Sequence, residues 1–315
     1  MTCRIRYFQP GFFAIPVGIG GLSIAYLRLA ELFPYLKSIG LGLAWLSFIS
    51  LIVIAILYLA KIVFFKQEFL KDINNPIKLS MLPLFSIALL IDSISFGILK
   101  CNFALPLAIA GTMIHLLFTY FNLRTWITKD LHLSTITPTW YIPIVGNILV
   151  PITPINQILG IFNWFFFSIG IIFWIILTTI LFYRKFFHEP LPEALLPSLF
   201  ILLAPPSVGF ISYIKITHSL DSIANILYFT ALAFLLLLVT LIDRFVKIRF
   251  KLTWWAYIFP IDALTIATIL YYHLTKMPLF IDLAIAIESL ATILLTIVGI
   301  KTLIAIKKGE ICKEE

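Results

Sequence analysis

The sequence predicts an all-α integral membrane protein of ten transmembrane helices arranged as five helical hairpins. Three observations carry that expectation. Apolar residues make up 61% of the 315 positions and charged residues only 12%, more apolar surface than a water-soluble domain can hide. Apolar runs of about 20 residues, the length a helix needs to cross a ~30 Å hydrocarbon core, recur from Phe12 almost to Ile306. The basic residues also divide unevenly between the two sets of connections that ten crossings create.

In chain order the spans are placed at Phe12 to Phe33, Ile39 to Leu59, Leu79 to Leu99, Phe103 to Phe121 and Trp140 to Leu159. The rest run from Gly160 to Tyr183, Leu195 to Ile214, Ala224 to Ile242, Thr253 to His273 and Leu279 to Ile300. The first run continues past a signal-peptide core, so it is read as a retained span. Nothing between Asp130 and Arg184 is charged, and that stretch holds two crossings with a tight turn near Pro151 and Pro154. The chain is expected to be one transmembrane domain over residues 1–315, with short cytoplasmic tails.

The 23 lysines and arginines test this division. Eighteen fall on the side of the termini, from Arg4 and Arg6 through Lys61, Lys66, Arg184 and Arg244 to Lys313. Arg28, Lys37, Lys100, Lys215 and Lys276 fall on the other. Cytoplasmic loops collect Lys and Arg, so the bias predicts a multi-pass protein of the cell membrane with both termini in the cytoplasm. The net charge of +8 therefore reports topology and not a nucleic-acid partner. Cys3, Cys101 and Cys312 have no paired spacing and suggest neither a disulfide framework nor a metal site.

Prolines sort the spans. Pro16, Pro83, Pro143, Pro205 with Pro206, and Pro260 lie inside spans one, three, five, seven and nine; spans two, six and eight have none inside. Pro106 and Pro278 stand near the starts of spans four and ten, where a missing N–H costs little. A proline within a helix leaves a carbonyl unbonded, which lipid cannot satisfy but protein or a water-filled cavity can. The odd helices are therefore expected to be kinked and to form an inner ring around a central pore, with straight even helices outside. Gly18, Gly20, Gly21, Gly97, Gly146 and Gly209, all on odd spans, permit close packing there.

At these odd spans the sequence resembles the TehA-like, slow-anion-channel and malate-permease family, also called the tellurite-resistance/dicarboxylate transporter family. The segments are FAIPVGIGGLSIA in the first span, NPIKLSMLPLFS from Asn75, TPTWYIPIVGNILVP from Thr137, LPSLFILLAPPSVGF from Leu196 and FKLTWWAYIFPIDALTIATILYY from Phe250. The resemblance implies a five-hairpin fold around one pore per subunit, a homotrimer, and a phenylalanine on the ninth helix that plugs the pore. By its place in the Phe-Pro segment that residue is Phe259. Its substrates are small anions: C4-dicarboxylates such as malate, in some members proton-coupled, or chloride and nitrate through a passive channel. No cofactor is implied.

The residues bear on these alternatives. Phe259 precedes Pro260, so a kink there can aim its ring at the axis, where an apolar constriction blocks ions by dewetting; the competing reading is one more packing ring among 29 phenylalanines. Ionisable groups inside spans are few: Asp92, Asp262 and Glu288. An ionised carboxylate facing an anion path repels its cargo, so Asp92 or Asp262 serves either in proton coupling or as a hydrogen-bond partner of a kinked helix. Glu288, on an outer helix, is read as a packing or subunit-contact residue. Asn147 and Ser207, near kinks, are candidate polar groups of the path. Arg28, Lys100, Lys215 and Lys276 are candidate cations of the outer mouth, against ordinary interfacial snorkelling. No Lys or Arg lies near the middle of a span, so transit is expected to depend on pore width, helix dipoles and polar groups. A polytopic membrane enzyme is the competing class, but no Asp-rich, HExxH or GxSxG motif occurs, and His115, His132, His188, His218 and His273 are scattered.

Overall fold

The computed structural model describes residues 5–312, so Cys3, Arg4 and Lys313 lie outside the described residues. Within them the chain is helical, without a strand. Among the described residues, nine helices are long and apolar enough to cross a bilayer, and one apolar helical segment is shorter. They are α1 (Pro10–Leu29), α2 (Pro34–Phe64), α3 (Pro76–Ile98), α4 (Ala104–Thr128), the shorter α5 (Pro138–Ile152), α6 (Asn156–Phe187), α7 (Glu193–Thr217), α8 (Ser222–Val239), α9 (Leu252–Thr275) and α10 (Pro278–Lys308).

The fifth segment differs most from its expected bounds. It ends at Ile152 instead of Leu159, because Thr153 precedes Pro154 and takes the extended backbone (ψ 166°) that a following proline imposes. α6 starts at Asn156, and Gly160, at φ +50°, breaks it before the continuous stretch Asn163–Phe187. α5 compensates for its length by its geometry. Pro138–Trp140 and Gly146–Ile152 are 3₁₀-helical and only Tyr141–Val145 is α-helical. At ~2.0 Å per 3₁₀ residue and ~1.5 Å per α residue it reaches about 27 Å, close to a hydrocarbon core.

Odd and even helices differ in how much of the span is one continuous α-helix, although α2 and α6 also begin with short 3₁₀ turns, Pro34–Leu36 and Gly160–Phe162. α4, α8 and α10 are single uninterrupted α-helices, as are Lys37–Phe64 of α2 and Asn163–Phe187 of α6. α1, α7 and α9 open with 3₁₀ segments, Pro10–Phe13, Glu193–Leu203 and Leu252–Tyr257, and then become α-helical. α3 is interrupted between Pro76–Met81 and Leu84–Ile98. The prolines stand at these junctions. Pro16, Pro143 and Pro260 are third residues of their α-helical parts, Pro205 and Pro206 second and third, and Pro83 the N-cap of Leu84–Ile98. There a missing N–H removes no α-helical bond, since the first-turn donors have no intrahelical acceptor. Neighbouring polar side chains bond the proline carbonyls themselves: Ser47 donates to Pro16 O (2.9 Å), Ser86 to Pro83 O (2.8 Å) and Thr119 to Pro143 O (2.7 Å).

Burial follows the same alternation. In α1, α3, α7 and α9, 61–78% of an eighteen-residue apolar stretch is buried, against 28–33% in the even helices. Outward apolar side chains such as Ile56, Leu117, Ile226 and Ile293 are more than half exposed, a surface suited to lipid. Each even helix packs on the odd helix before it. α1 packs on α3 and α9, α3 on the 3₁₀ end of α5, that end on α7, and α7 on α9. Where the terminus-side ends of α1 and α2 meet, buried Lys61 bonds the Asp72 carboxylate and the Phe8 carbonyl, the latter at 2.8 Å.

α1 approaches α2 and α3 at Gly20, where a Cβ would stand 2.6 Å from Ile91 Cγ2 and 2.9 Å from Ser47 Oγ. Gly20→Ala is therefore expected to destabilise the fold by about 1–3 kcal/mol through overpacking. Gly42→Ala, at an exposed site with nothing within 4 Å, should not. Thermal unfolding of both variants in detergent checks this; equal melting temperatures would contradict the close approach.

Candidate functional site

Two cavities lie within the molecule, and only odd helices and the residues flanking them line either one. The first, of about 150 Å³, is enclosed by the N-terminal halves of the odd helices. Its wall is apolar apart from groups such as Gln9, Thr139, Ser198 and Thr253, and no charged side chain contributes to it. The second, of about 370 Å³, is bounded by their C-terminal halves, with Arg28, Glu31, Lys215, His218 and His273 in its wall. Leu149 of α5, Val208 of α7 and Phe259 of α9 line both cavities. These three side chains are the partition between them.

The backbone positions the partition. Phe259 is the second residue of the α-helical part of α9, directly after the 3₁₀ segment. Its ring lies against α1 at Gly21, where a Cβ would come 3.0 Å from Phe259 Cδ2. Val208 follows Pro205 and Pro206 by one turn, and Leu149 sits in the 3₁₀ end of α5. Leu149 and Phe259 therefore hang from a 3₁₀ stretch or a junction, and Val208 from the α-helical part of α7 just after its prolines.

The electrostatics of the cavities differ in origin. N-terminal halves surround the first, so the positive ends of their peptide dipoles face it without any charged residue. The second lies at their C-termini, whose partial charge is negative. Arg28 and Lys215 occupy the last turns of α1 and α7, where a cation offsets that charge, and His273 stands in the last turn of α9. Glu31 answers two of them: Arg28 Nη1 lies 2.8 Å from Oε1, and His273 Nε2 lies 3.7 Å from Oε2. Nearby, Asp221 caps α8 by accepting from the Ile223 and Ala224 N–H groups and takes a 2.6 Å bond from the Tyr213 hydroxyl. The Tyr213 bond and then the backbone donors hold its carboxyl below the usual carboxylate range.

The sequence-predicted residues fall into three groups. Phe259, Pro205, Pro260, Arg28 and Lys215 border a cavity. Lys100 and Lys276 border neither; both take left-handed backbone at helix ends, and Lys276 lies over the Tyr272 ring. Asp92, Asn147, Ser207 and Asp262 stand behind the wall. The Ser47 hydroxyl lies 2.6 Å from Asp92 Oδ1, Asn147 donates to Thr119 and to the Ile144 carbonyl (each 2.8 Å), and Ser207 donates to Leu203 O (2.7 Å). Asp262 and Glu288 are buried, and no hydrogen bond to either carboxyl occurs among the described residues. Leu149, Val208, Glu31 and the site role of His218 and His273 were not read from the sequence. The available signal was positional, because His273 closes span nine as Arg28 closes span one. Among the described residues, no three His, Cys, Asp or Glu side chains gather as a metal site would require.

The family model for the voltage-dependent anion channel, SLAC1, matches residues 7–303. An uncharacterized transporter of Methanocaldococcus jannaschii is 23% identical over 100% of this chain and 99% of its own length. The S-type anion channel SLAH2 of Arabidopsis thaliana is 31% identical over 72% of this chain and 44% of its own length. The tellurite resistance protein TehA homolog of Haemophilus influenzae is 25% identical over 84% of this chain and 81% of its own length.

The partition makes a prediction independent of any substrate. In a background lacking Cys3, Cys101 and Cys312, a membrane-impermeant thiol reagent should modify Ala256→Cys from one face of the membrane and Ile211→Cys from the other. These positions line the first and second cavities respectively. Modification of both from the same face would contradict the arrangement.

Proposed function

The chain belongs to the voltage-dependent anion channel family, and from that membership we propose that it carries small anions, C4-dicarboxylates such as malate, along a central pore. The observation behind this reading is the pair of cavities, lined by odd helices and parted by Phe259, Leu149 and Val208. In this reading the five odd helices form an inner ring and the even ones an outer ring. Phe259 is the gate, and the bends at Pro16, Pro83, Pro143, Pro205, Pro206 and Pro260 shape the pore. The peptide dipoles favour anions in the first cavity, while Arg28 and Lys215 collect them at the outer mouth. Lys100 and Lys276 act there at longer range, and Asp92, Asn147 and Ser207 hold the wall in shape.

Proton coupling belongs to this reading through Asp262, one turn beyond Phe259 on α9 with its neighbour Glu288. The name of the SLAH2 relative and the uncharged first cavity favour a second reading, passive passage of chloride or nitrate. The resemblance also supports a homotrimer in the cell membrane, and the 18 to 5 distribution of basic residues supports cytoplasmic termini.

Removing the gate should raise flux. Phe259→Ala is expected to increase anion flux in proteoliposomes by about tenfold at equal protein density, the factor that ~1.4 kcal/mol off a barrier gives. Unchanged flux contradicts the gate. Carrier and channel are separated by comparing pH-driven uptake of labelled malate in vesicles with steady current through a planar bilayer. The first reading expects uptake that loses its pH dependence in Asp262→Asn while the protein still folds. Current in chloride or nitrate without malate uptake favours the second.

A further inference from the structure

The second cavity contains a feature that an anion pathway does not need. One of its own wall residues, Glu31, is a carboxylate, and it occupies the cations that a passing carboxylate would meet. Its two oxygens are divided between two helices. Oε1 is held at 2.8 Å by Arg28 of α1, and Oε2 faces Nε2 of His273 of α9 at 3.7 Å. Glu31 belongs to the turn after α1, not to the helix, and its side chain is 45% exposed. Leaving its place therefore disturbs no helical hydrogen bond. His273 Nε2 has no hydrogen bond among the described residues, so Glu31 satisfies it only loosely.

Across α9, α7 contributes Lys215 and His218 to the same cavity. No ion pair engages either one among the described residues. The cavity thus presents Arg28, already holding a carboxylate with His273 beside it, and Lys215 with His218, without an anion.

We propose that Arg28 and His273 form a carboxylate-binding subsite of the outer cavity, that Glu31 occupies it when no substrate is bound, and that a C4-dicarboxylate binds by displacing Glu31. The second carboxylate of the substrate is then matched by Lys215 and His218. The proposal rests on the anion-pathway reading and deepens it, since a tethered carboxylate disfavours weak monovalent anions more than a dianion able to use both pairs. Exchange of one carboxylate for another at Arg28 is nearly balanced in kind, because the bonds lost to Glu31 are the bonds the substrate gains. An exposed ion pair is also weak enough for such exchange to run at moderate substrate concentration.

The test uses succinate as the probe and the full chain. Its binding to the detergent-solubilised protein is measured by calorimetry, and its flux in vesicles. Glu31→Gln, which keeps the shape and removes the charge, should tighten succinate by about two- to fivefold, as expected for releasing an exposed ion pair. Arg28→Gln should weaken it, and adding Glu31→Gln to Arg28→Gln should bring no gain. Glu31→Asp, with a shorter reach, should fall between Glu31→Gln and the parent and serves also if Glu31→Gln does not fold.

If removing the Glu31 charge leaves succinate binding unchanged or weakens it, Glu31 merely orients Arg28 and the proposal is overturned. Binding that responds as expected without any anion flux overturns the transport reading and leaves the subsite standing. Flux without the Glu31 effect does the reverse. Absence of both binding and flux overturns both.

Discussion

A bilayer offers no hydrogen bonds, and every backbone N–H and C=O that crosses it must find a partner within the protein. Most of this architecture follows from that constraint. A proline cannot donate, so a helix carrying one near its middle must either lose a bond in lipid or change its geometry where protein surrounds it. Here the odd helices change geometry. The proline enters in the first turn of an α-helical part, where its N–H has no use, and a 3₁₀ stretch or a break completes the crossing. These segments are the buried ones, while the regular even helices meet the surroundings. The hydroxyls of Ser47, Ser86 and Thr119 on the proline carbonyls serve the same requirement.

That logic also explains what the sequence revealed. Most spans and their order were legible because crossing length and apolar composition are linear properties of the chain; nine of the ten reappear as membrane-length helices among the described residues. The difference in burial between odd and even spans was legible because proline positions carry a tertiary consequence in lipid that they lack in water. The end of α5 was misjudged because hydropathy continues through Thr153 and Pro154, whereas the backbone does not. The candidate path polars were harder. In a dry interior a hydroxyl or amide takes the nearest carbonyl, as Ser207 does with Leu203 and Asn147 with Ile144, so residue type alone did not indicate which groups face a cavity.

Phe259 was singled out by the family resemblance, with its place beside Pro260 in support, but Leu149 and Val208 are indistinguishable in the sequence from dozens of other apolar residues. Only the packing of three separate helices makes them a partition. The same holds for Glu31 and His273, which are far apart in the chain. They meet because α1 and α9 pack side by side and end at the same level.

The change of helix type along each odd span has a further consequence for how the two ends of the molecule respond to their surroundings. At the first cavity the field comes from peptide groups, which have no ionisable proton and are present whatever side chain is attached. At the second it comes from arginine, lysine, histidine and glutamate side chains. The wall of the first cavity therefore carries a field that substitution of a lining side chain leaves in place. The wall of the second carries a field that a single codon can retune.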